Sequence, residues 1–298
     1  MDIFAREADT GLAEALAAPP GDGLAIRWLG QAGFAIDCNG RRAIIDPYLS
    51  DSLAAKYRGT AFAHTRMMAI PVAPGDIAHV DVVLATHAHT DHMDPGTLPA
   101  LLAANPLAVL VAPRAERAKA LERTGVDPTG LVGIERGEAL EVAGIGIWAT
   151  GAAHETLETD QTGHHRFLGY GMRLPGGPVI YHSGDSIPFA GLVGEVAALG
   201  ADLALLPVNG RDAERRANGV PGNFTIAEAV DLARQAGIGT VIGHHYGMFA
   251  FNTVPRADIE AVARAGSAPK LYAADPQMVY CGPSDMRATA PGGGQACR

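Results

Sequence analysis

The chain reads as an α/β protein folded as a four-layer αββα sandwich, and two observations predict that class. Short, apolar, β-branched runs such as Asp81–Ala85 and Leu203–Leu206 alternate with longer stretches of helical period. The alternation occurs in both halves of the chain, so two sheets are expected to pack face to face with helices outside, in one unit spanning 1–298.

Taken in order, residues 2–18 carry Leu and Ala at helical spacing and stop at Pro19-Pro20-Gly21, which predicts an N-terminal helix within 1–23. Leu24–Leu29, Gly33–Asp37 and Arg42–Ile45 read as three strands joined at Gly30-Gln31-Ala32 and at the Asn39-Gly40 hairpin signal. Residues 49–80 have no strong period; a loop this long in a compact domain is usually functional, so a substrate flap is expected there. Beyond it come a helix starting near Leu98, a strand at Ala108–Val111 and a helix at Glu116–Arg123. Short strands follow at Ile134, Leu140–Val142 and Ile145–Trp148, then a polar loop from His154 to His165. A hairpin turns at Pro175-Gly176-Gly177, and the second half has strands at Leu203–Leu206 and Thr240–Ile242 with helices at Ile226–Gln235 and Pro255–Ala265. The tail at 288–298, with Gly292-Gly293-Gly294, is expected to be mobile.

Composition excludes some functions. With 48% hydrophobic and 18% charged residues the chain can bury a large core and is not a disordered binder. A formal net charge of −9 argues against nucleic acid as a partner, because phosphate backbones need a basic face; a local pocket for a small anion stays open. No run of 18 apolar residues is present, so no membrane span is expected. The N-terminal Met1–Glu7 lacks the basic and apolar regions of a secretory leader. Cys38, Cys281 and Cys297 are far apart and suit a reducing compartment, so a cytoplasmic location is expected, with homo-oligomers left open.

The chemistry concentrates in Thr86-His87-Ala88-His89-Thr90-Asp91-His92-Met93-Asp94, directly after the buried strand at 81–85. Three imidazoles and a carboxylate on a turn between strand and helix suit zinc, manganese or iron held at a rigid edge. Three later places also put a ligand-type residue after a strand: His154 beyond Trp148, Asp185 in His182-Ser183-Gly184-Asp185, and His244-His245 after Ile242. Neighbouring residues at a strand end face opposite ways, so one of His244 and His245 is expected to be a ligand and the other to pack.

The ordered set His87-x-His89-x-Asp91-His92, His154, Asp185 and a late histidine resembles the metallo-β-lactamase superfamily. Trp28-Leu29-Gly30-x-x-Gly33 and Tyr181-His182-Ser183-Gly184-Asp185-Ser186 are similar to its L-ascorbate-6-phosphate lactonase-like branch, and the resemblance runs over residues 24–280. It implies two divalent ions. One would be held by His87, His89 and His154, the other by Asp91, His92 and the late histidine, with Asp185 bridging both. In that branch the late ligand lies four residues before an aromatic, which selects His245, with Phe249 as the aromatic, over His244. Asp46 matches a family position that hydrogen-bonds a ligand histidine, and Asp94 falls outside the ligand set as a carboxylate at the helix start.

The chemistry so implied is hydrolysis by a hydroxide held between the two ions, with Asp91 and His245 serving the reaction as well as the ion and Asp91 relaying a proton. A lactone of a sugar-acid-like kind, with or without a phosphate, is the implied substrate, so a small anionic molecule is the expected partner. Arg66 and Arg211 are candidates to meet its charge, with His64, His164 and His165 nearby in loops. The chain departs from that branch in shorter N-terminal and middle regions, which bears on the substrate. Redox members with a di-iron centre carry a carboxylate where this chain has His89, which favours hydrolysis. The rivals are a phosphodiesterase of the same fold and a metal-binding sensor without catalysis.

Overall fold

The computed structural model describes residues 2–266 and 268–282, so the tail expected to be mobile at 288–298 lies outside the described residues. The chain begins with β1 (Phe4–Glu7) and α1 (Leu12–Ala17), then the antiparallel run β2 (Leu24–Gly30), β3 (Gly33–Cys38) and β4 (Arg41–Ile45). An excursion holding α2 (Ser52–Lys56) leads to β5 (Val82–Leu84), α3 (Leu98–Ala104), β6 (Val109–Pro113), α4 (Arg117–Thr124) and β7 (Leu131–Ile134). The second half supplies β8 (Ala139–Val142), β9 (Ile145–Gly151), β10 (Leu168–Arg173), β11 (Ile180–His182), α5 (Leu192–Ala198), β12 (Leu203–Pro207) and α6 (Ala213–Ala217). It continues with α7 (Ile226–Ala236), β13 (Thr240–His244), α8 (Arg256–Ala265), β14 (Lys270–Ala273) and β15 (Met278–Cys281).

The strands make two sheets, ordered β1-β15-β2-β3-β4-β5-β6-β7 and β14-β13-β12-β11-β10-β9-β8. The alternation of side chains shows how they stack. Ile26, Trp28, Phe34, Ile36, Val82 and Leu84 join the core shared with the second sheet. Their neighbours Leu29, Ala35, Val83 and Leu110 face the other way, onto Leu16 of α1, Leu98 and Leu101 of α3 and Ala120 of α4. On the second sheet α7 lies against β12 and β13, and α8 against β14. The expected αββα order of layers is therefore the observed one. Among the described residues no helix is long and apolar enough to cross a membrane.

Two expectations need correction. The N-terminal helix over 2–18 shrinks to α1, because Phe4–Glu7 is a strand that pairs antiparallel with β15, Phe4 opposite Cys281 and Glu7 opposite Met278. The ladder outweighs helix propensity there, and Ile3 is buried in the core between the sheets. The flap is also shorter than 49–80: Val72, Ile77 and Val80 pack with Leu16 and Leu101 under α1 and α3, and only the earlier part reaches the cavity described next.

Within each half the parallel strands bring their C-terminal ends to one edge. β4 and β5 run parallel, as do β11, β12 and β13, and β9 and β11 share a direction because each is antiparallel to β10. Asp46 and Thr86–His87 thus leave the first sheet, and His154, Asp185 and His245 the second, at the edge where open α/β sheets place ligands.

Candidate metal centre

Three groups of side chains meet at that edge. His87, His89 and His154 present ligand atoms within 4.8 Å of one another, as do Asp91, His92 and His245, and as do His87, His92 and Asp185. Asp185 Oδ2 lies 3.4 Å from His92 Nε2, 3.3 Å from His245 Nε2 and 3.7 Å from His154 Nε2, so one carboxylate stands between the two histidine-rich groups. Asp91 Oδ2 lies 3.7 Å from His245 Nε2 and 3.8 Å from His92 Nε2. All seven residues expected to hold metal are therefore brought together.

The backbone is shaped for this. Gly184 has φ +60°, and a Cβ there would stand 2.7 Å from the Leu168 carbonyl oxygen and 2.9 Å from Thr86 Cβ. Only glycine lets the chain pass so close to the ligand-bearing turn before Asp185. Asp46, Gln31 and His245 also adopt positive φ, of 45°, 51° and 64°. Such conformations cost energy and gather at functional sites.

Asp46 orients the ligands, as the sequence predicts. Its Oδ1 accepts the Thr86 amide at 2.8 Å, and its Oδ2 accepts the Thr86 hydroxyl at 2.6 Å and lies 2.7 Å from His92 Nδ1. A carboxylate can only accept there, so His92 carries its proton on Nδ1 and Nε2 is turned to the centre. Thr86 Oγ1 is also 3.0 Å from His87 Nδ1. Of the atoms turned to the centre, His87 Nε2 and His92 Nε2 are buried without a hydrogen-bond partner, as is Asp185 Oδ1. Buried polar atoms are rarely left unpaired, and a cluster of imidazole nitrogens with a carboxylate oxygen is the donor set of zinc, manganese or iron. The residues fit such ions.

Electrostatics agree. Burial, reinforced by the imidazoles of His92 and His89, holds His87 well below the usual imidazole range. His89, whose ring is exposed at the cavity, is lowered by partial desolvation against the pull of Asp91, and burial pushes His154 down to about 4. His92 goes the other way: burial opposes its charge, but Asp185, Asp46 and Asp91 raise it well above that range. Burial likewise opposes ionisation of Asp185, yet His245 and His92 hold its carboxyl well below the carboxylate range. A metal-free centre thus keeps a proton on His92 where a cation would otherwise sit.

His244 does not join the ligands. It is fully buried, stacked on His182 at 4.9 Å and edge-on to Phe34 at 5.2 Å, so it packs. Asp94 is not a ligand either. It accepts from Ser50 Oγ at 2.6 Å, Ser52 Oγ at 2.7 Å and the Gly96 amide at 2.9 Å, which ties the start of the flap to the ligand turn.

Five of the seven candidate ligands, His89, Asp91, His154, Asp185 and His245, open into a cavity of about 750 Å³. His64 lines it, as expected, but the two arginines do not. Arg66 gives its donors to the carbonyls of Met68, Tyr48 and Ser50, at 3.1, 3.1 and 3.2 Å. Arg211 forms a two-pronged pair with Glu228, at 2.6 and 2.7 Å, and donates to the Asn223 carbonyl. The Arg211 fork is taken up locally and Arg66 is turned to the Tyr48–Ser50 backbone with its Nη2 buried and unpartnered, and neither arginine lines the cavity. His164 turns to Thr162 and Asp160, and His165 to Glu135, away from the cavity.

One site residue escaped the sequence reading. Gln31 Nε2 donates to Asp91 Oδ2 at 2.8 Å and lies 3.2 Å from His245 Nε2, and its carbonyl accepts the His245 amide at 2.9 Å. Its position could have been inferred: β2 runs parallel to β4, because both are antiparallel to β3, so the turn after Gly30 reaches the same edge as Asp46.

Comparison with known proteins agrees with this geometry. A family profile described as Beta-lactamase superfamily domain matches residues 41–246. A UPF0173 metal-dependent hydrolase of Rubrobacter xylanophilus is 27% identical over 252 residues, 81% of this chain and 89% of that protein. Another from Saccharolobus solfataricus is 29% identical over 188 residues, 62% of this chain and 72% of its own. Among solved structures, a possible metal-dependent hydrolase from Veillonella parvula superposes with a TM-score of 0.66 at 15% identity, covering 87% of this chain and 99% of that one. The metallo-beta-lactamase fold protein YhfI from Bacillus subtilis does so at 0.60 and 14%, over 88% of this chain and 100% of that one.

Proposed function

The chain belongs to the beta-lactamase superfamily, and on that premise we propose that it is a metal-dependent hydrolase working with two divalent ions. The bond we assign is ester-type, with a lactone as the first form to test. The observation that carries this reading is the pair of candidate ligand groups, His87–His89–His154 and Asp91–His92–His245, with Asp185 between them and the buried Nε2 atoms of His87 and His92 unpartnered. Its relatives named metal-dependent hydrolases support the hydrolase class.

Ions bound there would supply hydroxide at neutral pH and polarise the substrate carbonyl. The protein's own groups do the rest. Asp46 and Thr86 hold the imidazoles of His92 and His87 in one tautomer and one orientation. Gln31 fixes the Asp91 carboxylate, which His92 and His245 keep ionised against the cost of burial, so that it can take up a proton and pass it to the departing alkoxide. Phe167 lies 4.9, 5.6 and 5.4 Å from the rings of His87, His89 and His154 and shields that side from water. Neither Arg66 nor Arg211 lines the cavity, so neither supports a phosphorylated form of the substrate.

The test is a screen of the zinc- and manganese-loaded protein against lactones, linear esters, phosphodiesters and β-lactams. Turnover of a lactone or ester is expected. Turnover of a phosphodiester alone would transfer the assignment to the phosphodiesterase, and metal uptake without any turnover would favour the sensor.

A further inference from the structure

Building on the hydrolase reading, we propose that the cavity wall beside the metal ligands is a subsite for a flat apolar group, an aryl ring, carried by the substrate next to its scissile bond. Tyr57, Phe62 and His64 from the flap and Phe249 and Phe251 from the loop after His245 all line the cavity that also holds His89, Asp91, His154, Asp185 and His245. The rings form one contiguous set. His64 stacks on Tyr57 at 4.3 Å and meets Phe249 and Phe251 edge-on at 4.9 and 4.8 Å. Phe251 in turn meets Phe62 at 5.2 Å and lies parallel to Phe249 at 5.9 Å.

Phe249 is buried, but Tyr57, Phe62, His64 and Phe251 are only half-buried. A group of aromatic faces left half-open inside a cavity, rather than on a convex surface, is what an apolar ligand requires. His64 belongs to the apolar set. The Phe62 carbonyl can only accept from its Nδ1, at 2.8 Å, which fixes one tautomer, and burial lowers its pKa and keeps the ring neutral.

Charged groups line other parts of the same cavity. Arg123 Nη1 donates to the carbonyls of Ala88 and Met93, and Arg166 is paired with Glu116. Lys56 lies 5.0 Å over the Tyr57 ring. Each of these arginines commits its Nη1 to a local partner, Lys119 and Glu158 complete the charged lining, and five rings converge on one wall.

The experiment compares phenylacetate with acetate, two carboxylates with the same head group, as ligands of the zinc-loaded full-length protein by calorimetry, and phenylacetyl with acetyl esters as substrates. Phenylacetate is expected to bind roughly tenfold or more tightly than acetate, with that preference collapsing in Phe251→Ala and Phe62→Ala. The wild-type ratio needs no variant, and Phe251→Leu, which keeps bulk but not flatness, replaces Phe251→Ala if the latter unfolds. Equal binding of the two carboxylates, or a preference that survives in both variants, would overturn the subsite and leave the rings as packing for the flap. A phenyl preference in binding without hydrolysis of either ester would keep the subsite and defeat the hydrolase. Hydrolysis of both esters at equal kcat/KM would do the reverse.

Discussion

Replacing Asp46 with asparagine should weaken the ion site of Asp91, His92 and His245 selectively, while the fold persists. Thr86 donates its amide to Oδ1 at 2.8 Å, whereas Oδ2 faces the Thr86 hydroxyl at 2.6 Å and His92 Nδ1 at 2.7 Å. Asparagine has one oxygen, and the Thr86 amide, which can only donate, claims it. The NH₂ then faces His92 Nδ1, which must give up its proton and turn acceptor, so that the proton left on the ring sits on Nε2, the atom aimed at Asp185 and Asp91. Losing such an orienting partner costs about 10–100-fold in metal affinity, or about 1.4–2.7 kcal/mol. Asparagine tolerates the φ of +45° at this position, so the backbone carries no new strain. Competition with a chelator measures the affinity of each ion, and long-range nitrogen NMR reads which ring nitrogen carries the proton. Wild-type affinity, or an Nδ1 that still carries its proton in the metal-free variant, would refute the reasoning.

Other outcomes follow from the same geometry. Because three carboxylates raise His92 well above its ordinary range, an incoming cation must displace its proton. Binding at neutral pH should therefore release protons, seen as a buffer-dependent calorimetric heat, and affinity should fall as pH falls. The sign for the metal-free fold is opposite: the stability supplied by charged His92 is complete below about 6.5, the unfolded value, and is lost as pH rises through its raised folded value. A melting temperature of the metal-free protein that His92→Gln leaves with the same pH dependence would contradict this. Gly184→Ala should destabilise the protein by about 1–3 kcal/mol in thermal melts and lower metal content, since its Cβ would meet the Leu168 carbonyl at 2.7 Å. Arg211→Ala should cost about 1 kcal/mol through its pairing with Glu228 on α7, yet leave the ratio of KM for phosphorylated and unphosphorylated substrates unchanged. A change in that ratio would return the arginine to the site.

The candidate ligand set was legible because four of its members lie within six residues, His87 to His92, and the others each follow a recognisable strand. Strand patterns read well where one face of each strand meets the other sheet and the next meets helices, as in β2, β3 and β5. Less legible was whatever depends on partners distant in sequence. β1 exists because β15 lies beside it, and nothing in Phe4–Glu7 announces that. Arg66 and Arg211 looked available because a sequence does not show which carbonyl or carboxylate a guanidinium meets; Glu228, which holds Arg211, is also the capping-box residue of α7. Gln31 was read as part of a turn, since its role appears only when the direction of β2 relative to β4 is known. The aromatic wall joins two segments that come together only in three dimensions, Tyr57–His64 and Phe249–Phe251.

Metal stoichiometry tests the central claim most directly. Plasma mass spectrometry on the zinc-reconstituted protein, with His89→Ala and Asp185→Ala alongside, counts ions per chain while hydrolysis is followed on the same samples. Two ions in the wild type, fewer in both variants and hydrolysis lost with them is the predicted result. Metal content and turnover that do not change in either variant would contradict the account.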